Sequence, residues 1–275
     1  PPIDSINSVE VTHANWLCLM PFSFAFPDDP KVHFNSNRQW YGETVEGIGK
    51  SIERAKTLGY SVAVKPQLWL LGGQFTGDWA FDTEAEWQMV EKSYRNFIMA
   101  FAQLAQDKGA DMLVVGTELD SFAEARPLFW DQLITEVRSI FDGSLTYAAN
   151  WDAYERIPFW SALDYIGVDA YFPISATNTP TAEEVRLAWL EQYEELDRFS
   201  KVFEGEILFT EYGYRSVLGG LREPWNAHEG EQYDVATQCN GYIGLYEAVW
   251  QRNSFAGGFL WKWFDRPDSV GGQGH

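Results

Sequence analysis

Two glutamates of this 275-residue chain occupy equivalent settings, Glu118 in Val-Val-Gly-Thr-Glu and Glu211 in Leu-Phe-Thr-Glu. Each follows a short apolar run and a threonine. One strand-end carboxylate among 40 acidic residues says little, because a solvated acid or a helix cap reads the same way. Two in the same setting point to a pair. Paired carboxylates are suited to cleaving a glycosidic bond: one protonates the leaving oxygen, and the other attacks the anomeric carbon or activates water. Direct attack requires the carboxyl groups about 5–5.5 Å apart, and attack through water about 6.5–9.5 Å.

Other chemistries fit less well. His13, His33, His228 and His275 are scattered and none follows a strand end, which argues against a histidine-rich metal site. No Gly-x-Ser-x-Gly elbow occurs, which disfavours a serine hydrolase of the α/β class. Cys18 falls inside a strand with no obvious histidine partner and reads as a core thiol. Two cysteines, Cys18 and Cys239, cannot build a disulfide framework, and whether they meet stays open. No metal or organic cofactor is expected. A metal-dependent hydrolase using Asp169 and Asp265 is the remaining metal alternative.

The elements that must position the glutamates alternate along the chain. Short runs rich in β-branched and aromatic residues mark strands at Trp16–Pro21, Ser61–Pro66, Met112–Gly116, Leu145–Asn150, Tyr165–Asp169, Ile207–Thr210 and Gly257–Trp261. Between them apolar residues recur at helical spacing: Val45, Ile48, Ile52 and Ala55; Val90, Tyr94, Phe97 and Phe101; Tyr242, Leu245, Tyr246 and Val249. Gly59, Gly109, Gly143 and Gly205 each sit where a helix turns into the next strand. Strict alternation implies parallel βαβ units and a TIM (β/α)₈ barrel, a single catalytic domain over residues 1–275. Seven strands are visible, with a first helix around Asp4–Ala14. The expectation is a barrel whose first strand and last helix are absent from this sequence. A doubly wound sheet would want a Gly-rich phosphate turn, and Gly72-Gly73 lacks that spacing.

In a parallel barrel, functional residues lie at the C-terminal ends of strands. Those positions carry Phe22; Lys65, Gln67 and Trp69; Thr117, Glu118 and Asp120; Asn150, Trp151 and Asp152; Asp169 and Tyr171; Glu211 and Tyr212; and Trp261, Lys262 and Trp263. Glu118 and Glu211 fall three strands apart, so they can face one another across a barrel mouth. Most of the 13 tryptophans suit a large core. Trp69, Trp79 and Trp151, on loops, read either as packing or as platforms on which the apolar face of a pyranose stacks. The formal charge of −20 opposes nucleic acid and polyanionic substrates. No apolar run approaches the ~18 residues of a membrane span. The opening Pro1-Pro2-Ile3-Asp4 has no signal-peptide pattern, which leaves the compartment open. The expected partner is a neutral β-linked oligo- or polysaccharide, with no nucleic acid or membrane, bound by a monomer.

Seven motifs in register resemble clan A of the glycoside hydrolases, and most closely glycoside hydrolase family 113. They are Ala14-Asn15-Trp16 with Met20-Pro21-Phe22, Val64-Lys65-Pro66-Gln67, Val115-Gly116-Thr117-Glu118-Leu119, Ala149-Asn150-Trp151-Asp152, Asp164 to Tyr171, Phe209 to Tyr214 and Gly258-Phe259-Leu260-Trp261-Lys262-Trp263. The resemblance implies a retaining β-1,4-mannanase with Glu118 as acid/base and Glu211 as nucleophile. It also implies that Tyr171 orients Glu211 and that Trp261 floors the site of the sugar being cleaved. Phe22, Lys65, Gln67, Trp69, Asn150, Trp151, Asp169 and Tyr212 are further candidates for substrate contact. The chain departs from the clan pattern in two places. Thr117 stands where many clan A members have Asn, and Gln67 stands where a His would follow the Lys-Pro pair. A related enzyme on glucan, xylan or galactan, or a non-catalytic carbohydrate-binding barrel, are the alternatives.

Overall fold

The computed structural model describes residues 3–226 and 232–263. Contacts divide the chain into two compact units, one of Pro1–Ala149 with Arg156–Asp164, the other of Asn150–Glu155 with the residues from Tyr165 onward. His228, His275 and Asp265 lie outside the described residues.

The first unit opens with a 3₁₀ helix, Ile3–Thr12, where the sequence suggests an ordinary helix over Asp4–Ala14. Its parallel strands are β1 (Trp16–Leu19), β4 (Ser61–Val64), β6 (Met112–Thr117) and β7 (Ser144–Asn150), adjacent in that order. Trp16 pairs with Ser61, Ala63 with Met112 and Met112 with Ser144. The helices are α1 (Val45–Thr57), α2 (Glu84–Lys108), α3 (Asp120–Ala125) and α4 (Pro127–Arg138). Local chemistry sets their ends. Thr83 and Glu86 form a capping box at the start of α2, and Gly109, at φ +68°, closes its other end where an L-side chain would be strained. Pro127 opens α4 at the one position where its missing N–H costs nothing. The helical stripe expected from sequence is the buried one: Val90, Tyr94, Phe97 and Phe101 of α2 are almost inaccessible.

A small second sheet was not visible in the sequence reading. It has the order β3 (Asp29–His33), β2 (Phe22–Phe26), β5 (Gln67–Leu70). β2 and β3 form a hairpin, while β5 runs parallel to β2.

The second unit contains β8 (Tyr165–Asp169), α5 (Ala182–Phe203), β9 (Glu206–Tyr212), α6 (Val235–Val249) and β10 (Phe255–Leu260). The three strands are parallel neighbours, with Tyr165 opposite Glu206 and Phe255 opposite Ile207. Thr181 and Glu184 make a second capping box for α5. That helix closes through Glu204 at φ +53°, one residue before the glycine that the sequence suggested. α5 and α6 approach so closely that a Cβ at Gly244 would lie 2.6 Å from Val185 Cβ. The seven parallel strands are those expected, and α-helices separate them except between β7 and β8, where the described residues form only short 3₁₀ turns at Tyr154–Arg156 and Trp160–Ala162. No helix among the described residues is long and apolar enough to cross a membrane, and neither cysteine is in a disulfide.

Candidate active site

Glu118 owes its position to a defect in β6. Val114 pairs with Thr146, but the next matched pair is Thr117 with Ala148, so β6 carries an extra residue there. Such a bulge re-aims the side chains that follow it. Gly116 lies within it, and a Cβ there would meet Trp130 and Tyr147 at 2.7 Å. Two buried tyrosines satisfy the displaced backbone: Tyr94 donates its hydroxyl to the Val115 carbonyl at 3.0 Å, and Tyr147 Oη accepts from the Leu119 N–H at 2.8 Å. The Glu118 N–H donates to the Ala148 carbonyl, also at 2.8 Å. Held on both sides, Glu118 adopts φ +47°, in the left-handed region that an L-residue enters at a cost. Burial, followed by the charge of Asp120, pushes the Tyr147 hydroxyl far above its ordinary pKa, so it stays protonated.

The support behind this strand end is aromatic. Phe122 stacks on Phe129 at 5.0 Å, Trp130 stacks on Phe159 at 5.2 Å, and Tyr94 meets Trp130 edge-on. Asp120 opens α3, with Arg156 at 3.6 Å. Thr117 Oγ1 is buried and finds no hydrogen-bond partner among the described residues.

Glu211 sits after a comparable irregularity in the second unit. Val168 pairs with Phe209, but Asp169 pairs with Glu211, which leaves Thr210 as the extra residue. Its hydroxyl donates to the buried Asp169 carboxylate at 2.7 Å. The Tyr171 hydroxyl donates to Glu211 Oε2 at 2.8 Å, and the Ala170 N–H binds the Glu211 carbonyl. Backbone and carboxylate are therefore both fixed, and Glu211 is 7% exposed.

The other residues singled out from sequence fall into different surroundings. Lys65 is fully buried at the end of β4. Phe22 and Gln67 are half-buried, and Trp69 is 53% exposed with Phe22 at its edge, 5.9 Å away. Asn150 ends β7 and turns its side-chain oxygen back to the Trp151 N–H. Trp151 stacks on Trp225 at 5.0 Å, and Trp225 is itself half-exposed. Asp152 is exposed. The Tyr212 ring turns toward α6, where its hydroxyl meets that of Tyr246 at 3.1 Å; it is packed rather than presented to solvent. Trp261 is half-buried and linked to Lys262 by a cis peptide bond. Its N–H donates to the Tyr212 carbonyl, and Lys262 and Trp263 are exposed. Trp79, read from sequence as packing or platform, is packing: it is 2% exposed, against Phe81 and Phe122.

The model of Glycoside Hydrolase Family 113 matches residues 2–269. The chain belongs to glycoside hydrolase family 113. It is a glycosidase. Among solved structures it is similar to the GH113 β-mannanase AaManA from Alicyclobacillus acidocaldarius, in complex with ManMIm. Identity is 25%, with 99% of this chain and 84% of that one covered at a TM-score of 0.87. A second GH113 β-1,4-mannanase complex matches at 24% identity and TM-score 0.83, covering 95% of this chain and 82% of that one. A β-glucuronidase from Faecalibacterium prausnitzii shares the fold alone, at 14% identity and TM-score 0.62, over 95% of this chain and 39% of its own. A search of curated proteins gives no match. The family 113 chain thus has the (β/α) barrel class that its sequence implied.

Reading the sequence missed the tyrosines behind Glu118. Tyr94 and Tyr147 look like any core aromatic until their hydroxyls are seen on the bulge. Nor does the sequence show that Trp225 stacks on Trp151, 74 positions earlier.

Proposed function

We propose that this chain hydrolyses β-1,4-linked mannan or manno-oligosaccharides with retention of configuration. The observation that carries the reading is the hydrogen bond from the Tyr171 hydroxyl to Glu211 Oε2, on a bulged strand end of a family 113 chain. An anomeric carbon reacts only with a correctly aimed nucleophile, and a hydrogen bond to one carboxylate oxygen restrains the aim of the other. The relatives described as β-1,4-mannanases support the substrate. The net charge of −20 suits a neutral polymer.

The reaction runs as double displacement. Ionised Glu211 attacks the anomeric carbon through an oxocarbenium-like transition state, while Glu118 gives its proton to the departing oxygen. Glu118, now a carboxylate, takes a proton from water, and that water displaces Glu211 from the sugar. Each carboxyl group returns to its starting state, and this sequence of steps uses no cofactor.

Variants separate the roles. Glu211→Ala and Glu118→Ala should both be close to inactive on polymer. On an aryl glycoside with a good leaving group, Glu118→Ala should regain turnover when azide is added, yielding a β-glycosyl azide. A Glu118 variant as slow on that substrate as on polymer would reverse the assignment. A product profile on mannohexaose, cellohexaose and xylohexaose tests the sugar. A site that hydrogen-bonds an axial 2-hydroxyl rejects its equatorial epimer, so a preference for cellohexaose or xylohexaose would end the mannanase reading.

A further inference from the structure

The small sheet has a face that the bond-cleaving chemistry does not use. Its strands alternate. Ser23, Ala25, Leu68, Leu70 and Val32 are buried on one side, and the residues between them occupy the other. On that other side the register sets His33 opposite Phe24 and Phe24 opposite Trp69, so three aromatic residues stand in one row across three strands. Neighbouring strands lie about 4.8 Å apart, which makes the row about 10 Å long. Phe26 adds a fourth ring, 5.8 Å from His33, and is 47% exposed. Asp29 stands at the rim, with its carboxylate 3.2 Å from His33 Nε2.

The buried side is anchored. The Val32 N–H donates to Ser93 Oγ of α2 at 2.8 Å, and the Trp79 indole N–H reaches the Phe26 carbonyl. Phe34, just past β3, packs on Phe97. A surface fixed in this way loses little conformational freedom when something binds it.

β2 begins three residues after β1 ends, and β5 three after β4 ends, so both grow from the C-terminal ends of barrel strands. β4 is the sheet neighbour of β6, which leads to Glu118 at that same end. A polymer held for cleavage extends beyond the bond being cut, and its pyranose rings offer apolar C–H faces to aromatic side chains.

We propose that His33, Phe24, Trp69 and Phe26 form a platform for sugar rings of the polysaccharide remote from the cleaved bond, and that this platform sets the preference for long chains. The inference rests on the substrate being a neutral β-linked polysaccharide, but not on its sugar being mannose. The test measures calorimetric binding of soluble mannan, β-glucan and xylan, and of their disaccharides, to the Glu211→Ala protein with and without Trp69→Ala, Phe24→Ala or Trp69→Phe. Trp69→Ala and Phe24→Ala should each weaken binding of the preferred polymer about tenfold. Trp69→Phe should keep most of the affinity, and the loss should shrink on the disaccharide. Undiminished polymer binding in both alanine variants, or an equal loss on disaccharide and polymer, would overturn the platform. So would failure of the parent to bind any of the three polymers. If the parent prefers xylan or β-glucan and the alanine variants lose that binding, the platform holds while the mannan reading falls.

Discussion

Glu118 keeps a backbone conformation that costs an L-residue about 1–2 kcal/mol, and two buried tyrosine hydroxyls help impose it. Strain maintained in this way at the end of a strand is expected where aim matters more than stability. Comparing Glu118→Gly with Glu118→Ala isolates the strain, because both lose the carboxylate and its contacts. The glycine variant should be the more stable by about 1 kcal/mol, as read from urea unfolding midpoints. An alanine variant at least as stable would mean that the left-handed backbone carries no cost here. Tyr171 acts on Glu211 through one hydrogen bond. Tyr171→Phe removes that bond and keeps the ring, so kcat should fall about a hundredfold while KM for mannohexaose moves little. A change confined to KM would make Tyr171 a substrate-binding group instead.

At the scale of elements, close approaches set tolerance. Gly244 lets α6 reach Val185 and the Arg186 backbone on α5, so Gly244→Ala should cost about 1–3 kcal/mol of stability by overpacking. An unchanged denaturation midpoint would show that the two helices separate freely. The seven parallel strands and the two glutamates were legible because their signals are local: an apolar run, then threonine, then glutamate. The bulges before Glu118 and Glu211 were not, because a bulge exists only relative to a partner strand about 30–40 positions away. The hairpin of β2 and β3 left a trace in the alternation of Phe22-Ser23-Phe24-Ala25-Phe26 before Pro27-Asp28. So short a run after a barrel strand also reads as loop, and only pairing with β3 and β5 distinguishes the two. Trp69 and Trp79 show the limit of composition. Both are tryptophans in loops by sequence, yet one is half-exposed and the other buried, which only tertiary packing decides.

For the whole molecule, a charge of −20 concerns encounter rather than chemistry. Turnover of neutral mannan should change less than about twofold as salt is raised, whereas a carboxylated mannan should be a poor substrate that improves as salt screens the repulsion. Better turnover of the carboxylated polymer at low salt would show that the local field at the site opposes the net charge. The account as a whole depends on Glu211 bonding covalently to the sugar. Mass spectrometry of Glu118→Ala, quenched during reaction with an activated aryl β-mannoside, tests this directly, because without its base the variant releases the glycosyl-enzyme slowly. The peptide carrying Glu211 should gain the mass of one glycosyl unit. An adduct on another residue, or release of the α-anomer as first product with no adduct on any peptide, would contradict it.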